Sequence, residues 1–155
     1  MTNSSSDPAR TLWAVSISGV SCASLSTSAS SLSLSAGGTI SLDIDIDMGS
    51  AFAGQFYHLL GSSSGTNPGL SLLGQCVPLN LDTDLLCTVV SKKPPLASNS
   101  RVLDGNGAAS PTLTLAPATD PSWAGITLHH VALAYSLAPL SFRRVSNPVA
   151  LELVL

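Results

Sequence analysis

The stretch Ile40-Ser41-Leu42-Asp43-Ile44-Asp45-Ile46-Asp47-Met48 alternates apolar and polar residues without a break. Side chains of an extended strand point to opposite faces in turn, so this run puts its Ile, Leu and Met residues on one face and its Ser and Asp residues on the other. A helix would scatter the same residues around its circumference. The chain must therefore contain a half-buried strand, and that strand needs an opposing layer over its apolar side.

The same period recurs in Leu32-Ser33-Leu34, in Thr112-Leu113-Thr114-Leu115 and from Val149 to Leu155. Leu12 to Val20 alternates apolar with small residues through Leu12, Trp13, Val15, Ile17 and Val20, and reads as a further strand. Phe56 to Leu60 and Val131 to Tyr135 are almost continuously apolar, as central strands covered on both faces are, and Leu85 to Val90 reads as another strand. Turn signals separate these runs: Ala36-Gly37-Gly38, Gly49-Ser50, Gly61 to Gly69, Asp104 to Gly107, Pro117 to Pro121 and Ser146-Asn147-Pro148. The pattern predicts an all-β fold, an antiparallel β-sandwich of Ig-like or jelly-roll-like type with about eight or nine strands. The one short helical turn expected is near Pro121 to Ala124. Residues 1–31 read as a polar leader and an added strand, and residues 32–155 as the sandwich.

Composition narrows the function classes. Of the 155 residues, 45% are apolar but only 10% are charged, against about 25% in an average soluble protein. Hydroxyls and small side chains must therefore cover the surface, and such a lysine-poor surface points to an extracellular or cell-surface setting. A net charge of −3, with Lys92-Lys93 and Arg143-Arg144 as isolated basic pairs, argues against nucleic-acid binding. No apolar run approaches the roughly 18 residues of a membrane span, so no membrane insertion is expected. Leu12 to Val20 lacks the continuous apolar core and basic start of a signal peptide.

Three cysteines permit one bridge. Cys76 and Cys87 flank Val77-Pro78-Leu79-Asn80-Leu81-Asp82-Thr83-Asp84, whose turn-forming residues would bring two strand ends together. A disulfide there would close a loop of about 11 residues and stabilise the fold by about 2–3 kcal/mol, leaving Cys22 over. Three buried free thiols are the alternative. Zinc is disfavoured, since there is no CxxC pair and His58, His129 and His130 show no ligand spacing with the cysteines.

The run from Gly54 to Gly69, through Tyr57, Leu59-Leu60-Gly61-Ser62, Ser64-Gly65-Thr66 and Pro68-Gly69, resembles an AGxxYLLLGSxSGTxPG pattern. That pattern belongs to a β-rich domain of predicted secreted proteins of planctomycetes and related bacteria. The likeness extends through Val77 to Asp82, Leu103 to Ala109, Ala124 to His130 and Ser146 to Val149, covering about residues 32–155. It implies export and a β-rich fold. The family's domain sits at the C-terminus of larger exported proteins and has no assigned activity. The cysteines around the proline-containing turn and the short N-terminal segment depart from the family.

Candidate chemistry is sparse. Asp43, Asp45 and Asp47 share one strand face, about 7 Å apart in succession, and calcium's six to eight oxygens would require a second loop such as Asp82 to Asp84. The expectation is a solvated, charge-protected face with no metal. Adjacent His129 and His130 point to opposite faces, one inward. Gly61 to Gly69 reads as a structural loop, and Asp104-Gly105-Asn106-Gly107 as a tight hairpin turn. No catalytic triad or cofactor motif is recognised, and no enzymatic activity is expected. Two roles follow: a structural surface protein associating with its own copies through sheet edges, with Leu12 to Val20 as the added strand, or a binding module holding carbohydrate against Trp13, Trp123, Tyr57 or Tyr135.

Overall fold

The computed structural model describes residues 23–46, 49–90 and 99–155. The strands among them are β1 (Ala23–Thr27), β2 (Ser31–Ser33), β3 (Gly38–Ile46), β4 (Phe56–Ser62), β5 (Leu70–Leu72), β6 (Gln75–Val77), β7 (Ser100–Val102), β8 (Ala108–Ala109), β9 (Thr112–Leu115), β10 (Thr127–Leu137), β11 (Leu140–Val145) and β12 (Val149–Val154), with the helix α1 (Thr83–Val90) between β6 and β7. The fold is all-β, as the alternation requires. Short 3-10 turns at Gly49–Phe52 and Pro121–Trp123 complete it.

The alternating run is β3, with Ile40, Leu42, Ile44 and Ile46 buried and Asp43 and Asp45 exposed. One edge of β3 takes β1 antiparallel. The other takes two short strands end to end: β9 lies against Gly38 to Ser41 and β8 against Ile44 and Asp45. At the joint the Leu42 amide donates to the Pro111 carbonyl at 2.9 Å.

The second sheet repeats this device around β10, which has β4 along one edge and β12 followed by β11 along the other. Ser146-Asn147-Pro148 makes the break between β11 and β12. β12 adds β2 in parallel, and β4 adds β7. There are twelve strands among the described residues, more than the eight or nine expected. Partners of two or three residues, such as β8, β2 and β7, are too short to show a period.

The two sheets face each other over one core, to which β1, β3 and β9 contribute from one side and β2, β4, β10 and β12 from the other. Leu34, Leu42, Leu59 and Leu151 are wholly buried in it. A second, smaller cluster lies on the far side of the β4–β10 sheet, where Leu60 and Val131 meet Val77, Leu79 and Leu85. β10 is thus covered on both faces, with Ala132 and Ala134 in the large core and Val131 in the small one. That explains its unbroken apolar sequence.

Two expectations fail in the same place. Leu85 to Val90 is helical, not extended, because Asp82 caps the helix: its Oδ1 accepts the Leu85 amide at 2.7 Å, three residues on. A short apolar run has no period of its own strong enough to choose between helix and strand, and the cap decides. The predicted Cys76–Cys87 disulfide is also absent, and both cysteines are free and exposed. Cys76 lies in β6 while Cys87 is on a solvent-facing side of α1, so the two do not end paired strands.

Candidate functional site

The β4–β10 sheet is covered by α1 and the β5–β6 hairpin over only part of its outer face, and the uncovered end carries aromatic residues. Tyr57 and Ala134 point into the large core, so their neighbours Phe56 and Tyr135 point away from it. Across the sheet Val102 pairs with Phe56, Phe56 with Tyr135, and Tyr135 with Phe142. The Phe56 and Tyr135 rings are stacked with centroids 5.7 Å apart, and Phe142 meets Tyr135 edge-on at 6.2 Å. The next pair outward is Leu137 opposite Leu140, exposed at 57% and 58%, and Val102 is 50% exposed. The Tyr135 hydroxyl shares a 3.3 Å hydrogen bond with Ser100. Six apolar side chains therefore form one surface, flanked by β7 and β11, whose outer edges have no strand partner among the described residues.

A groove of about 360 Å³ opens beside this surface, where β7 and the joined strands β8 and β9 diverge. Tyr57, Arg101 and Val102 line one wall, Asp104 the corner, and Ala108 to Thr112 the other wall. The corner is a tight turn, in which Asp104 Oδ1 accepts the amides of Asn106 and Ala108 at 2.7 and 2.9 Å. It does not close a hairpin, however, because β7 and β8 belong to different sheets. The amides of Ala108 and Asn106 hold the Asp104 carboxyl below its usual range. Burial raises the Tyr57 phenol, and the Arg101 guanidinium opposes that rise.

The serine-glycine loop after β4 is pinned by Asp82 and Asn80. Asp82 Oδ2 accepts from the Ser62 and Ser64 hydroxyls, both at 2.8 Å, and from the Ser63 and Ser64 amides, both at 2.9 Å. Burial would raise this carboxyl, but the Leu85 amide, the two hydroxyls and the Ser64 amide outweigh it and hold Asp82 at about 2. The Ser63 hydroxyl bonds Asp84. Asn80 Nδ2 donates to the Ser64 carbonyl at 2.7 Å and its Oδ1 accepts from Gly69 at 3.0 Å. Asp82 and Asp84 are thereby engaged on the α1 side of the six-stranded sheet, across the large core from Asp43 and Asp45. Asp47 lies outside the described residues, and no group of three or more metal-ligating side chains occurs among those described.

His58 holds α1. His58 Nε2 bonds the Thr88 carbonyl at 2.9 Å, Asn99 donates to the same oxygen at 2.8 Å, and Gly61 donates to the Thr88 hydroxyl at 3.1 Å. His130 is the inward member of the adjacent pair, 3% exposed, and its Nδ1 has no hydrogen-bond partner. Burial and the neighbouring His129 lower it to about 4. Burial also lowers His58, partly offset by its bond to Thr88. Among the described residues no histidine bonds a hydroxyl or a thiol.

Of the four aromatic residues singled out in the sequence, Tyr57 is core, Tyr135 is in the ring row, Trp123 is 43% exposed in the turn before β10, and Trp13 lies outside the described residues. Leu12, Val15, Ile17, Val20 and Cys22 also lie outside them. Sequence reasoning missed Phe56, Phe142, Leu137, Leu140 and Arg101, whose grouping depends on register between strands far apart in the chain. No helix among the described residues is long and apolar enough to cross a membrane. Neither a protein-family model nor a curated protein matches this chain.

Proposed function

We propose that this is a non-enzymatic structural domain of the extracellular or cell-surface space, whose copies associate with one another at the β7–β11 end of the six-stranded sheet. The observation that carries the reading is the apolar surface of Val102, Phe56, Tyr135, Phe142, Leu137 and Leu140, lying between two strand edges that have no partner among the described residues. Contiguous apolar surface of this kind on a folded domain marks a contact site. Open edges beside it supply unpaired backbone groups for a neighbour's strand. A second copy suits the site because the chain carries little charge to repel its like. Placement outside the cell rests on the hydroxyl-rich, lysine-poor composition and on the secreted-domain resemblance. The free, exposed Cys76 and Cys87 lend it no support.

Sedimentation equilibrium over a range of concentrations tests the association. The full chain is expected to associate with rising concentration, and the doubly substituted Leu137→Lys, Leu140→Lys chain to stay folded and monomeric. A full chain that remains monomeric at millimolar concentration overturns the reading. Removing residues 1–22 separates a contribution of Leu12, Trp13, Val15, Ile17 and Val20 from that of the sheet end. A monomer in which an oligosaccharide protects the aromatic row would favour the carbohydrate-binding module instead.

A further inference from the structure

Charged side chains are scarce in this chain, yet the groove between β7 and the β8–β9 joint contains one of each sign, Arg101 and Asp104. Neither is neutralised by the other. Among the described residues Arg101 makes no ion pair or hydrogen bond, and Asp104 uses Oδ1 for the Asn106 and Ala108 amides while its Oδ2 accepts nothing. Tyr57 and Val102 complete the Arg101 wall, and the opposite wall is small or hydroxylic: Ala108, Ala109, Ser110, Pro111 and Thr112. A volume of about 360 Å³ falls at the lower end of small-molecule sites.

We propose that this groove binds a small zwitterion of the α-amino-acid type, its carboxylate on the Arg101 guanidinium and its ammonium on Asp104 Oδ2. The assignment follows from the charges. A simple anion would meet the guanidinium but also the Asp104 carboxylate, and a simple cation would meet the reverse. A neutral polyol would leave both ions without a counter-charge. A molecule carrying both signs satisfies the two open valences together, and the planar guanidinium fork matches a carboxylate. The ligand's own side chain would rest against Ala109 and Pro111. Asp104 is prepared for the task because two amides fix its carboxylate in place before any ligand arrives. The site lies within one copy of the chain and does not depend on self-association.

The test is a heteronuclear NMR titration of the full chain with L-alanine, propionate and propylamine as separate probes. L-alanine is expected to give saturable shifts confined to the amides of residues 101–112, with propionate and propylamine each at least about tenfold weaker. Arg101→Gln and Asp104→Asn should each weaken alanine binding by about tenfold or more. The asparagine keeps an Oδ1 acceptor for the Asn106 and Ala108 amides, so it removes the charge without removing the turn. Three results would overturn the proposal: no saturable shift with alanine, propionate binding as tightly as alanine, or either variant binding alanine as well as the parent chain.

Discussion

The side-chain amide of Asn147 holds Leu25 as a neighbouring strand would: its Oδ1 accepts the Leu25 amide and its Nδ2 donates to the Leu25 carbonyl, each at 3.0 Å. The two residues are 122 positions apart. Asn147 sits in the break between β11 and β12, and Leu25 is the centre of β1, so this pair ties one sheet to the other at the sandwich rim. It also engages part of a β1 edge that has no strand partner among the described residues.

Replacing Asn147 by Ala should therefore cost about 1–3 kcal/mol, since two hydrogen bonds are lost and two strand groups return to water or go unpaired. Urea unfolding of the Asn147→Ala chain measures it. A midpoint equal to that of the parent would show the pairing to be dispensable.

Asp82 serves two elements at once, the start of α1 and the serine loop after β4. Asp82→Ala should lower stability by about 2 kcal/mol, the upper part of the range for a lost helix cap. For a domain of this size that is a fall of about 4–8 °C in the melting temperature. Asp82→Asn should fall between the two, because an amide cannot accept with both arms.

Acid should destabilise the fold in two separate windows. His130 is lowered to about 4 by burial and by His129, and His58 is lowered by burial. Below the unfolded value of about 6.5 the unfolded chain binds more protons than the native one, so stability is present above that pH and is lost as pH falls towards 4. For His130 the loss is on the order of 3 kcal/mol. Asp82, held at about 2, gives its contribution above the ordinary carboxyl range and loses it between about 4 and 2. Melting temperature against pH should fall through both windows. His130→Asn, whatever its stability at neutral pH, should flatten the upper one and leave the lower one unchanged.

Gly37 and Gly54 both have positive φ, at 68° and 74°, but they differ in what surrounds them. A Cβ on Gly37 would lie 2.6 Å from the Pro117 nitrogen and 2.7 Å from the Leu115 carbonyl oxygen, whereas one on Gly54 meets nothing within 4 Å. Gly54→Ala should cost only the left-handed backbone term, about 1–2 kcal/mol. Gly37→Ala adds a clash with backbone that cannot swing aside, and should be the worse of the two by at least about 1 kcal/mol. Equal thermal midpoints for the two variants would contradict this account.

How far the sequence could be read depended on how each residue is buried. β3 was legible because it is covered on one face only, and the alternation from Ile40 to Ile46 records that directly. β10 was legible as a central strand because two layers cover it. α1 was not, since Leu85 to Val90 shows apolar and β-branched residues on every side, and the deciding signal was the single cap at Asp82. The apolar surface and the groove were illegible for another reason. Phe56, Tyr135 and Phe142, like Tyr57 and Arg101, become neighbours only through strand pairing, and composition and spacing do not encode register between distant strands.

The two clusters on either side of β10 differ greatly in extent, with 18 buried residues in the large one and five in the small among the described residues. Such back-to-back cores give the molecule two thresholds of opening. The α1 layer, fastened chiefly by Leu85 and by the bonds to Thr88, can lift from the sheet and close again while the sandwich beneath stays intact. Amide exchange in α1 would then proceed by brief local release, and in β3 only by global unfolding. Protease attack on the native protein would fall first on the helix, leaving a nicked chain whose two sheets still hold together.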